Sequence, residues 1–197
     1  MPEFDNYTKI LFVRHPLDRV ISAFYNVKYF QAGTGMHGPG GHIRHAMKHM
    51  FRLESIAELE FTDFVRFITN KSLEDNFYYD RHFNSFAQSC RVCDVKYDYI
   101  LKMESMSHDA SPILKDMGFS DEYIDFMHKS DNTRPGALPS STLNSNKLLK
   151  ELKQLNKLDY GKLLDRYKLD FQMFGYGIDR YSNVASCGIR MKNGECC

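Results

Sequence analysis

The chain has 197 residues, 43% of them apolar and 26% charged, and a formal net charge of +1. That length suits one domain with a substantial core, and the balanced charge excludes bulk attraction to nucleic acid or an anionic membrane, so any polyanion has to be met by a local patch. No apolar run approaches the length of a membrane span, and MPEFD at residues 1–5 has neither the basic start nor the apolar centre of a signal peptide, so on its own the chain reads as cytosolic. The triplets Asn6-Tyr7-Thr8 and Asn70-Lys71-Ser72 are glycosylation sequons that matter only in the secretory pathway.

The first element is predicted at Ile10–Val13, a continuous β-branched and aromatic run of the kind found in parallel strands covered on both faces. Pro16 has φ near the helical value and lacks only an N–H that a first helical turn leaves unpaired, so a helix is predicted to start there. Val20, Ile21, Phe24 and Val27 give it one buried face. Arg14 then stands at the carboxyl end of a strand beside a helix N-terminus, the place where open α/β sheets bind ligands. The N–H groups and positive dipole end of the helix favour an anion there, and a guanidinium adds a fixed charge and a planar fork of donors. Ser22 places a hydroxyl on the same helix. A surface ion pair is the plainer reading of Arg14.

Residues 31–42, QAGTGMHGPGGH, are a glycine-dense loop broken by Pro39. IRHAMKHMFRLE then reads as a basic helix or lid, with His42, His45 and His49 along one face and Arg44, Lys48 and Arg52 beside them. No acidic or cysteine ligand stands among the histidines, so a cationic surface fits better than a metal site, and its partner is an anionic polymer or solvent. LEFTDFVRFITN fits a short helix capped by Thr62, with Phe64, Val65, Phe67 and Ile68 in the core. KYDYILKMES is predicted as a second strand leaving through Glu104, and HDASPILKDMGF as a helix ending at Gly118. Residues 128–145 form a polar loop with two prolines. Tyr160, Leu163, Leu164, Tyr167, Phe171 and Phe174 recur at spacings that predict one amphipathic helix. Residues 1–180 are expected to form the domain and 181–197 a loose tail containing cysteine.

The five cysteines are Cys90 and Cys93 in C-R-V-C, with Cys187, Cys196 and Cys197 in the tail. A zinc site on Cys90, Cys93 and two tail thiolates lacks a second C-x-x-C, and a thiol-redox pair lacks the preceding strand, which leaves a structural pair, bridged or reduced, as the preferred reading.

The stretch KILFVRHPLDRVISAFYN resembles the 3′-phosphate-binding segment of Golgi carbohydrate sulfotransferases, in which V-R-x-P ends a strand and x-x-R-x-x-S-A-[YF] follows. RHFNSFAQSCRVCDVKYDYILKMES is similar to the family stretch with a His-aromatic pair, C-x-x-C, Y-D and K-x-E. RYKLDFQMFGY resembles the Y-x-L-D-F-x-M-F-x-Y close of the chondroitin and dermatan branch. The resemblance implies an α/β, P-loop-like sulfotransferase fold with a central parallel sheet flanked by helices. It also implies transfer of a sulfuryl group from 3′-phosphoadenylyl sulfate (PAPS) to a glycosaminoglycan or related sugar hydroxyl, with no metal and no nucleic acid. Arg14 and Ser22 match the family's 3′-phosphate pair, Arg19 matches the motif, and Thr133 and Arg134 match an S-T-R loop that contacts the nucleotide. The basic stretch with Arg44, Lys48 and Arg52 occupies the place of a variable insert suited to an anionic glycan. His15 stands where an acidic residue is common.

The family's 5′-phosphosulfate loop, roughly P-K-V-[GA]-C-x-x-[WF]-[KR], does not occur in these 197 residues. The expectation is therefore a sulfotransferase domain lacking its N-terminal strand-loop-helix, inactive as this chain, whose full-length relatives sit on the lumenal side of the Golgi membrane through an anchor that this sequence lacks. A non-catalytic nucleotide- or glycan-binding relative, and a zinc or thiol-redox module, are the alternatives. The catalytic base stays open between titratable residues such as His82 and Glu54.

Overall fold

A computed structural model of the chain describes residues 6–29, 41–70, 82–123 and 145–178. Strand β1 (Ile10–Val13) runs into helix α1 (Pro16–Tyr29), followed by α2 (Gly41–Phe51), α3 (Phe61–Ile68) and the single turn α4 (Phe86–Ser89). Strand β2 (Tyr99–Lys102), α5 (Met106–Asp116), α6 (Ser145–Leu152), α7 (Lys157–Arg166) and α8 (Lys168–Met173) complete the described elements. β1 and β2 pair in parallel, with Ile10 opposite Tyr99 and Val13 opposite Lys102. A parallel pair needs a long crossover, and α1 to α4 supply it. Among the described residues the sheet has these two strands.

The prediction of a strand covered on both faces is corrected. Leu11 and Val13 are buried, but Phe12 between them is 42% exposed, as Ile100 is at 46%. The pattern is the alternation of a half-covered strand, with helices packed on the Leu11 and Val13 side.

Helix α1 is the axis of the core. It buries Leu17, Val20, Ile21 and Phe24 against α3 and α6. Its β-branched residues cost a helix only about 0.5 kcal/mol each relative to alanine, whereas full burial of such a side chain is worth about 1.5–3 kcal/mol, so packing decides. Phe24 meets Phe61 and Phe64 at centroid distances of 5.3 and 5.7 Å, and Phe64 meets Phe83 edge-on at 5.9 Å. Thr62 is not the cap of α3. The helix starts one residue earlier, after Glu60, which makes no side-chain capping bond, and the Thr62 hydroxyl faces the Gln154 carbonyl at 3.5 Å.

Among the described residues four helices end on a left-handed residue, at Arg52, Arg91, Gly118 and Gly175. Gly118 closes α5 at φ +87°, with the Phe119 N–H on the Leu114 carbonyl and the Gly118 N–H on the Lys115 carbonyl, the geometry predicted from its glycine. After α2 the same turn is made by Arg52 at φ +55°, with the Leu53 N–H donating to the Lys48 carbonyl.

The predicted single C-terminal helix is two. Tyr167, at φ −103° and ψ 14°, breaks the helical run between α7 and α8, yet the apolar stripe stays buried through the break. Spacing alone hides such a corner, because both halves keep the same face inward.

Arg52 gives the fold a direct test. A left-handed backbone costs a residue with a Cβ roughly 1 kcal/mol, part of which a glycine returns through its freer unfolded chain. Arg52→Gly is expected to stabilise the protein by about 0.5 kcal/mol, read as a higher urea midpoint at unchanged slope. A lower midpoint would mean that the Arg52 side chain holds more than its backbone costs.

Candidate functional site

Beside the first turns of α1 lies a cleft of about 520 Å³. The α1 wall is Arg14 just before the helix, then Arg19, Ser22, Ala23 and Asn26; the opposite wall is His82, Phe86, Ser89 and Cys90. Residues 19, 22, 23 and 26 stand at helical spacings of three, four and seven, so one polar stripe of α1 faces the cleft while Leu17, Val20, Ile21 and Phe24 face the core. The lining residues named include two guanidinium groups, two hydroxyls, an amide and an imidazole, and no carboxylate. Such a lining suits an anion with several acceptor oxygens.

Arg14 is held through its neighbour. The His15 backbone N–H donates to Glu104 Oε1 at 2.7 Å, and the Tyr176 hydroxyl donates to Glu104 Oε2 at 2.9 Å. Burial and the Glu104 charge push the Tyr176 phenol up, so it stays a donor. The His15 ring is buried, with Nε2 at 3.1 Å from the Gly177 carbonyl and edge contacts to Phe171 and Tyr176. The His15 imidazole is thus a packing group against the C-terminal segment.

The opposite wall is held from behind. Asp170, fully buried, accepts from the Phe86 and Ala87 N–H groups, each at 2.9 Å, and Ser85 Oγ accepts from the Gln88 N–H at 3.2 Å, so α4 has its first N–H groups satisfied. The Tyr167 hydroxyl donates to the Phe83 carbonyl. Burial pushes that phenol up to about 12, so it donates throughout the ordinary pH range. At the other end of α4, the Tyr97 hydroxyl donates to the Cys90 carbonyl at 2.9 Å.

Arg19 crosses between the walls, its guanidinium 4.1 Å from the centre of the Phe86 ring. Burial pulls its pKa down, and Tyr167, Asp170 and Cys90 oppose that shift. Burial likewise pushes the Asp170 carboxyl up, while its two backbone donors and Arg19 pull it back. The Cys90 thiol is pushed up by burial against the pull of Arg19.

The predicted residues divide accordingly. Arg14, Arg19 and Ser22 come together on the cleft, and His82 joins them. Glu54 lies off the cleft, exposed, with its N–H on Glu58 Oε2. Thr133 and Arg134 lie outside the described residues. Arg44 has a task not read from the sequence: its Nε donates to the Val27 carbonyl at 2.9 Å and its Nη2 reaches the Asn26 carbonyl at 3.5 Å, joining α2 to the last turn of α1. Lys48 is half-buried, and His42, His45, His49 and Arg52 are exposed. Cys93 is disulfide-bonded and Cys90 is a free thiol, so the C-x-x-C is neither a redox pair nor a pair of zinc thiolates. Among the described residues no cluster of three or more His, Cys, Asp or Glu is placed to hold a metal ion, and no helix is long and apolar enough to cross a membrane.

Sequence reasoning gave no role to Glu104, Asp170 or Tyr176. The signal for Asp170 was present: it follows Tyr167 by three residues and precedes Phe174 by four, on the apolar face, where a carboxylate needs buried donors.

A model of the sulfotransferase family matches residues 2–177. The chain is 27% identical over 180 residues to carbohydrate sulfotransferase 11 of Rattus norvegicus, covering 89% of this chain and 49% of that protein. It is 29% identical over 180 residues to carbohydrate sulfotransferase 14 of Danio rerio, with coverage of 87% and 44%, and 30% identical over 179 residues to carbohydrate sulfotransferase 10 of Rattus norvegicus, with coverage of 86% and 47%. The chain thus spans about half the length of the curated relatives it matches. No solved structure matches it significantly. With the family model covering nearly the whole chain and a cationic cleft at the strand-to-helix join, the chain belongs to the sulfotransferase family.

Proposed function

We propose that the cleft binds the 3′-phosphate end of PAPS and that the whole protein transfers its sulfuryl group to a hydroxyl of an anionic glycan, a glycosaminoglycan of the chondroitin or dermatan type, in the Golgi lumen. The observation that carries this reading is the convergence of Arg14, Arg19 and Ser22 on one cleft with no carboxylate among its described lining residues. Arg14 and Arg19 supply charge and Ser22 a hydroxyl donor. In the transfer, the acceptor oxygen attacks sulfur, the bond from sulfur to the 5′-phosphate oxygen breaks, and adenosine 3′,5′-bisphosphate leaves. The hydroxyl proton passes to a base, for which His82 on the cleft wall is the candidate. Thr133 and Arg134 remain proposed nucleotide contacts from the resemblance of their loop.

The glycan is proposed to run over the exposed side of α2, where Lys48 and Arg52 stand among His42, His45 and His49. Arg44 adds to that field from the joint with α1.

Titration calorimetry with adenosine 3′,5′-bisphosphate tests the cleft. A hydrogen bond to a charged group is worth about 1.5–3 kcal/mol, so Arg14→Ala is expected to weaken binding roughly tenfold to a hundredfold, and Ser22→Ala, losing a single hydroxyl bond to the phosphate, roughly tenfold. Equal affinity in wild type and Arg14→Ala removes Arg14 from the site, and nucleotide binding without sulfate transfer by the full-length protein favours the non-catalytic relative. The α2 face is tested on immobilised chondroitin sulfate: retention is expected to fall steeply with salt and to weaken in Lys48→Gln/Arg52→Gln. Retention indifferent to both leaves α2 a solvated surface.

A further inference from the structure

We propose that Asp170 is a positioning residue for the cleft: its buried carboxylate fixes the first turn of α4 and thereby seats the Phe86 ring under Arg19. The proposal rests on the reading that the cleft takes the nucleotide's phosphate end. Asp170 reaches the cleft wall from behind, both oxygens accepting from the backbone of α4. It acts through what it holds. The Phe86 N–H bonded to Asp170 belongs to the same residue whose ring lies 4.1 Å from the Arg19 guanidinium, and the same short helix carries Ser89 and leads to Cys90 on the cleft wall.

As a stability device, the arrangement is a poor one. Helix α4 is four residues long and already has a side-chain cap in Ser85. An uncharged cap is enough to satisfy a helix N-terminus, whereas a buried carboxylate carries a desolvation cost that a hydroxyl or amide avoids. What a carboxylate offers and they do not is two acceptor oxygens for adjacent N–H groups, fixing the rotation of the turn that carries Phe86. A guanidinium stacked on a ring that is itself fixed is restricted in tilt, so less of its freedom is lost when an anion binds.

Asp170→Asn keeps the shape but can accept through one oxygen only and turns an amide N–H₂ toward the other backbone donor. Expected is a fivefold to twentyfold loss of affinity for adenosine 3′,5′-bisphosphate. Asp159→Asn, the control, removes a second buried carboxylate that holds Arg66 and Asn156 away from the cleft, and is expected to leave affinity within twofold even where it lowers the urea midpoint. In an Arg19→Ala background, Asp170→Asn is expected to cost less than twofold, because the residue it acts through is gone; additive losses overturn the proposal and make Asp170 merely structural.

A readout without nucleotide keeps the two readings separable. Iodoacetamide labelling of Cys90, followed by peptide mass mapping, is expected to be at least fivefold faster in Asp170→Asn than in wild type as the α4 wall loosens. Unchanged labelling overturns the positioning role, whereas faster labelling in a protein whose wild type does not bind the nucleotide overturns the function reading alone. If Asp170→Asn does not fold, Phe86→Leu, which keeps both backbone donors and removes only the ring, is expected to lower nucleotide affinity and to lose that effect in the Arg19→Ala background; additivity there overturns the proposal.

Discussion

Both walls of the cleft hang on residues 167–177. From that one segment the Tyr167 hydroxyl reaches the Phe83 carbonyl, Asp170 takes the first two N–H groups of α4, and Phe171 and Tyr176 pack on the His15 ring while Tyr176 also donates to Glu104. Glu104 in turn takes the His15 N–H, one residue from Arg14. The bonded residues are separated by up to about 160 positions along the chain, so none of these ties is a local preference of the backbone. Their common requirement is that the helical run break at Tyr167, which lets one stretch of chain serve α4 on one side and the end of β1 on the other.

The energetics favour that division of labour. Paired exposed charges are worth at most about 1 kcal/mol, and the pairs Arg91–Asp94 and Lys115–Asp121 are of that kind. The buried carboxylate of Asp170 and the buried imidazole of His15 are different: each has to be matched by hydrogen bonds or it opposes folding. One of the Asp170 bonds comes from Phe86 on the cleft wall, and the His15 bond to the Gly177 carbonyl docks the C-terminal segment beside Arg14. Stability of the C-terminal segment and geometry of the cleft are therefore coupled, and changes at positions remote from the lining reach Arg14 and Arg19 through it.

What was legible in the sequence was local. A four-residue apolar run before Pro16 sufficed for β1 and α1, because strand composition and the fixed φ of proline act within a few residues, and Arg14 at the join followed from them. Phe61–Ile68 and Gly118 were readable for the same reason, one by period and one by backbone freedom. The corner at Tyr167 was not, since a period of 3.6 is blind to a break that keeps the same face buried. Nor was the task of Arg44, which looked like one cation in a basic run and instead meets carbonyls at the far end of α1. The resemblance brought Arg14, Arg19 and Ser22 together by motif; Glu104 and Asp170 stood in the two other quoted stretches, but their partners lie 89 and 84 residues away, and pairwise contact at that distance leaves no trace in one sequence.

Helix α1 consequently has three separate neighbours around its circumference and along its length. One face is the core, one stripe lines the cleft, and its last carbonyls receive Arg44 from α2. Asn26 belongs to two of these at once: its side chain is on the cleft and its carbonyl is within reach of the Arg44 guanidinium. The basic side of α2 is thus joined to the distal end of the cleft stripe, about three turns along α1 from the strand end that carries Arg14. An anion in the cleft and a polyanion on α2 would lie on two helices that the Arg44 bonds to the Val27 and Asn26 carbonyls join. A donor and an acceptor that are both anionic repel each other in water, and cations presented to each by two joined helices lower that repulsion.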